Sequence, residues 1–99
     1  MRMLVKVTIP TETGNKAIRE GHLPKVMQQA FEDLKPEAAY FFSDNGQRCA
    51  YFFTDMKDPS QIPPIAEPFF MQLGATVQLI PVMNREDLQK GLEQASKRF

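Results

Sequence analysis

The chain has 99 residues, of which 42% are hydrophobic and 24% charged, and its formal net charge is zero. This composition excludes a disordered chain, and the charge balance argues against a nucleic-acid partner, because phosphate backbones select basic surfaces. One hydrophobic core is expected, in a single domain that covers residues 1–99.

The first third of the chain predicts a strand followed by two helices. Residues 2–9 alternate in polarity, which is typical of a strand with one fully apolar face. Thr11 or Thr13 is expected to cap a short helix that reaches Glu20. Pro24 suits the first turn of a second helix. One stripe of that second helix carries the apolar residues Val26, Met27, Ala30, Phe31 and Leu34.

Two aromatic-rich runs, residues 38–43 and 48–54, flank Asn45-Gly46 and predict a β-hairpin. Asn-Gly favours a type I′ turn, in which both central residues have positive φ. With these two residues as the loop, the predicted pairs are Asp44 with Gln47, Phe42 with Cys49, Tyr40 with Tyr51, and Ala38 with Phe53. The opposite face, which we expect to lie against the helices, carries Ala39, Phe41, Ala50 and Phe52.

The last third of the chain predicts a helix, a strand and a final helix. The first of these covers about residues 65–72, and Pro68 is expected to kink or loosen it. Residues 76–82 alternate again as a strand. Asn84 and Asp87 have the spacing of a capping box at the start of the final helix. Leu88, Leu92 and Ala95 form the apolar stripe of that helix, to which Phe99 can add.

The order βαββαβα predicts an α+β, ferredoxin-like fold: a four-stranded antiparallel sheet with helices on one face and an extra C-terminal helix. The other face of the sheet then carries Leu4, Tyr40, Phe42, Tyr51, Phe53 and Ile80. A monomer rarely exposes so large an apolar patch. A second copy of the chain is the cover that we expect. The C-terminal helix, which spans roughly 21 Å, and a ligand are the alternatives.

Five segments carry a resemblance to a known family: NKAIREG (15–21), LPK (23–25), PEAAYF (36–41), DPSQIP (58–63) and PVMN (81–84). They resemble a small bacterial family of unknown function within the dimeric α/β-barrel proteins. The resemblance covers most of the chain and implies a homodimer in which two sheets enclose a barrel. Relatives with that fold include cofactor-independent monooxygenases, lactone isomerases and proteins with no assigned activity, so fold does not define function.

Four polar residues on the face expected to be enclosed are the candidate ligand-binding residues. Lys6 either snorkels to the barrel mouth or pairs with a carboxylate across the dimer, or it binds an anionic or carbonyl group of a small ligand, with a pKa lowered by burial. Tyr40 and Tyr51 either fill a dimer core or, with Gln78, orient a flat organic molecule.

Other reactive residues give weaker indications of a functional site. His22, the only histidine, is expected either as a solvated turn residue or as an acid or base at a pocket mouth. Cys49 is expected as a buried small hydrophobe. No metal site, cofactor motif or phosphate-binding loop is predicted. RNA-recognition modules share the βαββαβ order, but the first strand here lacks their stacking aromatic residues.

The lone cysteine and the N-terminal residues indicate the compartment. A single cysteine cannot form an internal disulfide, so a reducing cytoplasm is expected. Neither an export signal nor a membrane span is predicted. The leading functional expectation is a cytoplasmic homodimer that binds a small apolar or aromatic molecule in its barrel. The alternatives are a cofactor-independent monooxygenase or isomerase, and a purely structural or interaction dimer.

Overall fold

A four-stranded antiparallel sheet and four α-helices make up the protein, in a computed structural model that describes residues 1–99. The elements in chain order are β1 (Arg2–Ile9), α1 (Thr11–Arg19), α2 (Leu23–Leu34), β2 (Ala38–Asp44), β3 (Gln47–Asp55), a 3-10 turn (Pro59–Gln61), α3 (Ile62–Leu73), β4 (Thr76–Pro81) and α4 (Arg85–Ser96). The strand order is β2-β3-β1-β4. This arrangement confirms the predicted α+β class and is consistent with a ferredoxin-like fold.

The hairpin of β2 and β3 has the predicted register. Asn45 and Gly46 both have positive φ, 50° and 77°, as a type I′ turn requires. All four predicted cross-strand pairs occur, from Asp44 with Gln47 to Ala38 with Phe53. The turn residues therefore fixed which side chains of the hairpin share a face.

The hydrophobic core lies between one face of the sheet and helices α1, α2 and α3. Its apolar side chains include Val5 and Val7 from β1 and Phe52 from β3, all with no exposed surface. Thr54 is the one polar residue that is buried, and its hydroxyl donates a hydrogen bond of 2.5 Å to the carbonyl of Leu34 at the end of α2. This bond satisfies a polar group that would otherwise be costly inside the core.

The predicted helix ends need two corrections. Neither threonine caps α1, because both lie inside the helix and Pro10 is its N-cap residue; the Thr13 hydroxyl donates to the Pro10 carbonyl. The third helix begins at Ile62 rather than residue 65, directly after a 3-10 turn with its own capping box. Pro68 lies inside this helix, which ends at Leu73.

Phe41 shows that the helices cover the sheet incompletely. It lies on the helix face as predicted and contacts the rings of Phe31 and Phe52. Nevertheless, 56% of its surface is exposed, because β2 is an edge strand. The helix layer therefore protects the central strands better than this edge.

Helix α4 extends away from the rest of the molecule. Asn84 and Asp87 form the predicted capping box, with bonds of 2.8 and 3.1 Å, but no residue of α4 is buried. The radius of gyration is 16.0 Å, whereas about 13 Å is typical of a domain of this length. The alternative in which the C-terminal helix covers its own sheet is therefore wrong.

No helix combines the length and the apolar character needed to cross a bilayer.

Candidate functional site

The sheet face turned away from α1, α2 and α3, here called the open face, carries all four predicted ligand-binding residues. Tyr40 on β2 pairs with Tyr51 on β3, Tyr51 pairs with Lys6 on β1, and Lys6 pairs with Gln78 on β4. These four residues form one continuous row across the sheet, which we call the polar row. Since the row uses every strand, residues far apart in sequence meet in one line.

An apolar row borders the polar row on one side, and a row of two apolar residues and two threonines borders it on the other. On one side the register aligns Ala38, Phe53, Leu4 and Ile80 in a second row across the four strands. On the other side it aligns Phe42, Cys49, Thr8 and Thr76. The open face therefore consists of a polar line within a mostly apolar surface, which is the composition of many small-molecule sites.

Aromatic contacts hold the polar row in place. The rings of Tyr51 and Phe42 meet edge to face, with centroids 4.7 Å apart. Phe53 packs edge to face against both tyrosines, at 6.4 Å from Tyr51 and 6.5 Å from Tyr40. Edge-to-face pairs at such separations are favourable. The half-buried Tyr51 is thus fixed by its neighbours, whereas Tyr40 remains 62% exposed at the edge.

Lys6 is held by a carboxylate of its own chain. Its ammonium group lies 3.0 Å from a carboxylate oxygen of Asp44 and 5.9 Å from the centre of the Tyr51 ring. Both Lys6 and Asp44 are partly shielded from solvent, with side-chain exposures of 22% and 32%. The cation is therefore already oriented on the open face, between a carboxylate and an aromatic ring.

The ion pair changes the titration of Lys6. A hydrogen bond to Asp44 is the main effect that raises the pKa of Lys6 above its ordinary value, against an opposing effect of burial. The expectation of a pKa lowered by burial is therefore wrong. Because the pKa is raised on folding, the stabilisation is complete at neutral pH and is lost only as the pH rises through the folded-state pKa. Lys6 therefore acts on this face as a permanent cation at neutral pH.

Asp44, which pairs with Lys6, is a residue of the candidate site that the prediction did not include. The signal was present in the hairpin register, because Asp44 follows Tyr40 and Phe42 at intervals of two and so shares their face. In the register, Cys49 is the diagonal neighbour of both Lys6 and Asp44. Cys49 is 4% exposed and contacts the Thr8 hydroxyl at 3.8 Å. It is thus buried, as predicted.

His22 does not join the polar row. It is half-buried in the turn between α1 and α2, where its amide donates to the Ala17 carbonyl. Its own carbonyl accepts the amides of Lys25 and Val26 at the start of α2. Because α1 and α2 pack on the opposite face of the sheet, His22 stands apart from the four residues described above.

A second group of charges lies at the other end of β1, where the side chains pair with one another. Arg2 contacts Glu37 at 2.6 Å and lies 4.0 Å from Asp87 of α4. The N-terminal ammonium contacts Asp55 at 2.6 Å and holds the pKa of that carboxyl below its ordinary value. These ion pairs connect the N-terminus and helix α4 to the sheet. Because their charges are paired with one another, we take the polar row as the candidate site.

Comparisons with known proteins do not assign the chain to a family. No family model matches the sequence, and no curated protein matches it significantly. No group of three or more histidine, cysteine, aspartate or glutamate side chains is placed to hold a metal ion.

Proposed function

We propose that the protein is a cytoplasmic homodimer in which two open faces meet and enclose a site for a small aromatic or apolar molecule. The observation that carries this proposal is the polar row, a fixed cation, two phenols and an amide in one line across an apolar face. The large exposed side chains on that face include Tyr40, Phe42 and Ile80. A second copy would remove them from water, which a single chain does not do.

The chemistry of the polar row favours a flat ligand with one anionic or carbonyl group. Lys6 can donate to an oxygen of that group, and the rings of Tyr51 and Phe42 offer apolar surfaces beside it. Gln78 and Tyr40 are exposed in the single chain, so their polar groups are free to face a ligand. The class of compound that fits best is an aromatic carboxylate or ketone.

Replacing Lys6 by methionine should weaken the binding of aromatic carboxylates. Benzoate, salicylate and 2-naphthoate are suitable probes, with affinity measured by calorimetric titration. Because a hydrogen bond to a charged group contributes about 1.5–3 kcal/mol, the expected loss is about 10- to 100-fold in Kd. Lys25→Met is the matched control, since Lys25 is an exposed lysine of α2 on the other side of the sheet.

Two results would contradict the ligand proposal. The first is that none of the three carboxylates binds to the unaltered protein. The second is that Lys6→Met and Lys25→Met bind them equally well while both remain dimeric. In either case the open face would serve dimer contacts alone.

Replacing Asp44 by asparagine should have the opposite effect on the same probes. Asp44 forms an ion pair with the Lys6 ammonium in the free protein, so the carboxylate of an incoming ligand must compete with Asp44. Partly exposed ion pairs contribute about 0.2–1 kcal/mol, so removing this competitor should tighten binding by about 1.5- to 5-fold. Weaker binding in calorimetric titrations of Asp44→Asn would show that the carboxylate positions Lys6 rather than competing for it.

The Lys6–Asp44 pair itself favours a second candidate, a structural dimer without a ligand. In that case Lys6 serves only to pair with Asp44, and Tyr40 and Tyr51 fill the interface between the two copies. The titrations above separate the two candidates, because a structural dimer without a ligand site predicts no binding of the probes that depends on Lys6.

A further inference from the structure

An apolar cleft lies on the helix side of the sheet, between the start of α2 and the β2–β3 hairpin. Its volume is about 380 Å³, which is within the usual range of small-molecule sites. Eight residues line it, and seven of them are hydrophobic, among them Leu23 and Met27 of α2 and Phe41 of β2. The helices leave 56% of Phe41 exposed. This exposed aromatic surface is therefore part of a concave apolar lining.

Arg48 is the one charged residue in the lining of this cleft, and no carboxylate of the chain pairs with it. A guanidinium group has five N–H donors. Within the chain only one of them is engaged, in a bond of 3.1 Å from Nη2 to the side-chain oxygen of Asn15. Arg48 therefore keeps donors for both oxygens of a carboxylate, which the planar guanidinium matches in shape.

Gly14 of α1 determines where the Arg48 guanidinium lies. A Cβ atom built on Gly14 would come within 2.7 Å of Nη1 of Arg48, which is closer than real contacts allow. Glycine is an unfavourable residue inside a helix, but here its missing side chain gives the guanidinium room against the α1 backbone. Although Arg48 is exposed to solvent, its contacts with Gly14 and Asn15 orient it at the cleft.

We propose that this cleft binds a monocarboxylate with an unbranched aliphatic chain, whose chain packs on Met27 and Phe41 and whose carboxylate binds Arg48. Charge complementarity specifies an anionic end, because Arg48 is the only charge in the lining. The flexible side chain of Met27 adapts to a flexible ligand. The cleft lies on the opposite side of the sheet from the polar row, so the proposal does not depend on the open-face dimer or its ligand.

Calorimetric titrations with hexanoate, octanoate and 1-octanol test this site. Octanoate should bind more tightly than hexanoate, by up to about 4-fold for each additional methylene group that the cleft buries. Arg48→Met should weaken octanoate binding about 1.5- to 5-fold, as the loss of a partly exposed ion pair does. The same change should leave the binding of uncharged 1-octanol unaltered. Arg19→Met is the matched control, because Arg19 is an exposed arginine of α1 outside the cleft lining.

Two further substitutions keep Arg48 and change its surroundings. Gly14→Ala should displace the guanidinium without changing the charge, and so weaken octanoate binding by a similar factor. Met27→Glu places a competing carboxylate in the cleft and should weaken octanoate binding at least about 10-fold. Gln28→Glu is its control, since it adds the same charge at the neighbouring exposed position of α2. Melting curves by circular dichroism verify that each variant is folded.

The outcomes distinguish this site from the polar row. If Arg48→Met lowers the melting temperature but octanoate still binds with unchanged affinity, Arg48 only connects the hairpin to α1, and the proposal is overturned. Failure of octanoate to bind the unaltered protein overturns it as well. If Lys6→Met weakens octanoate binding and Arg48→Met does not, the chain binds on the open face, which rejects this cleft alone. Arg48-dependent binding of octanoate without any binding of benzoate supports the cleft and rejects the open-face ligand site.

Discussion

Replacing Phe52 by alanine should lower the free energy of unfolding by about 3–5 kcal/mol, as large-to-small substitutions of buried aromatic residues do. Phe52 has no exposed surface and lies at the centre of the aromatic core. Its ring meets Phe31 and Phe41 nearly at right angles and stacks on Phe69 at 6.1 Å. Removing it leaves a cavity that rings from three different elements line. Urea denaturation followed by circular dichroism measures the effect.

The size of this loss decides whether the variant folds. Domains are stable by about 5–15 kcal/mol in total, so a loss of this magnitude brings a chain of 99 residues close to unfolding. Met71→Ala is the surface control, because Met71 of α3 is 79% exposed. Surface changes stay within about 0.5 kcal/mol. Equal losses for the two variants would contradict the central position of Phe52.

The hairpin shows how far local sequence determines this fold. Asn45 and Gly46 select one turn type, and that turn alone fixes the register of Tyr40 with Tyr51. Alternation then assigns each remaining side chain of β2 and β3 to a face. The same register already placed Asp44 on the open face. Its pairing with Lys6 could not be read from the hairpin, because β1 joins β3 through contacts distant in sequence.

The helix ends show where local rules fail. Thr11 and Thr13 are good capping residues, yet both lie inside α1, whose N-cap residue is Pro10, and the Thr13 hydroxyl donates to the Pro10 carbonyl. At α3, the capping box of Asp58 and Gln61 forms a preceding 3-10 turn and brings the helix start forward. Competing local hydrogen bonds, rather than propensity, thus decide these boundaries.

Helix α4 shows a second limit of prediction from the sequence. Its apolar stripe and its capping box were both evident in the sequence, and the capping box occurs as predicted. The stripe alone cannot identify its partner, because periodicity reports that a face is apolar and not what lies against it. The same holds for the open face, whose apolar residues are visible in the sequence while their cover is not.

Replacing Ile80 by lysine should convert the proposed open-face dimer into a monomer of 11.3 kDa. Ile80 lies on the open face in line with Leu4 and Phe53, and it is 41% exposed in the single chain. Burying a whole isoleucine side chain contributes about 1.5–3 kcal/mol, so burying the exposed 41% of Ile80 contributes about 0.6–1.2 kcal/mol, and a symmetric interface contains the residue twice. The variant should therefore lose about 1.2–2.4 kcal/mol of association energy, or about 8- to 60-fold in Kd, before the cost of burying the lysine ammonium is added. Light scattering across a dilution series measures this change.

Ile18→Lys provides the matched control for this test. Ile18 is also an isoleucine of similar exposure, 48%, but it belongs to α1 on the helix side of the sheet. The same change of side chain and charge should leave the dimer intact there. If Ile18→Lys dissociates the dimer and Ile80→Lys does not, the interface lies on the helix layer. The polar row would then face water, and Lys6, Tyr40, Tyr51 and Gln78 would have no enclosed site to line.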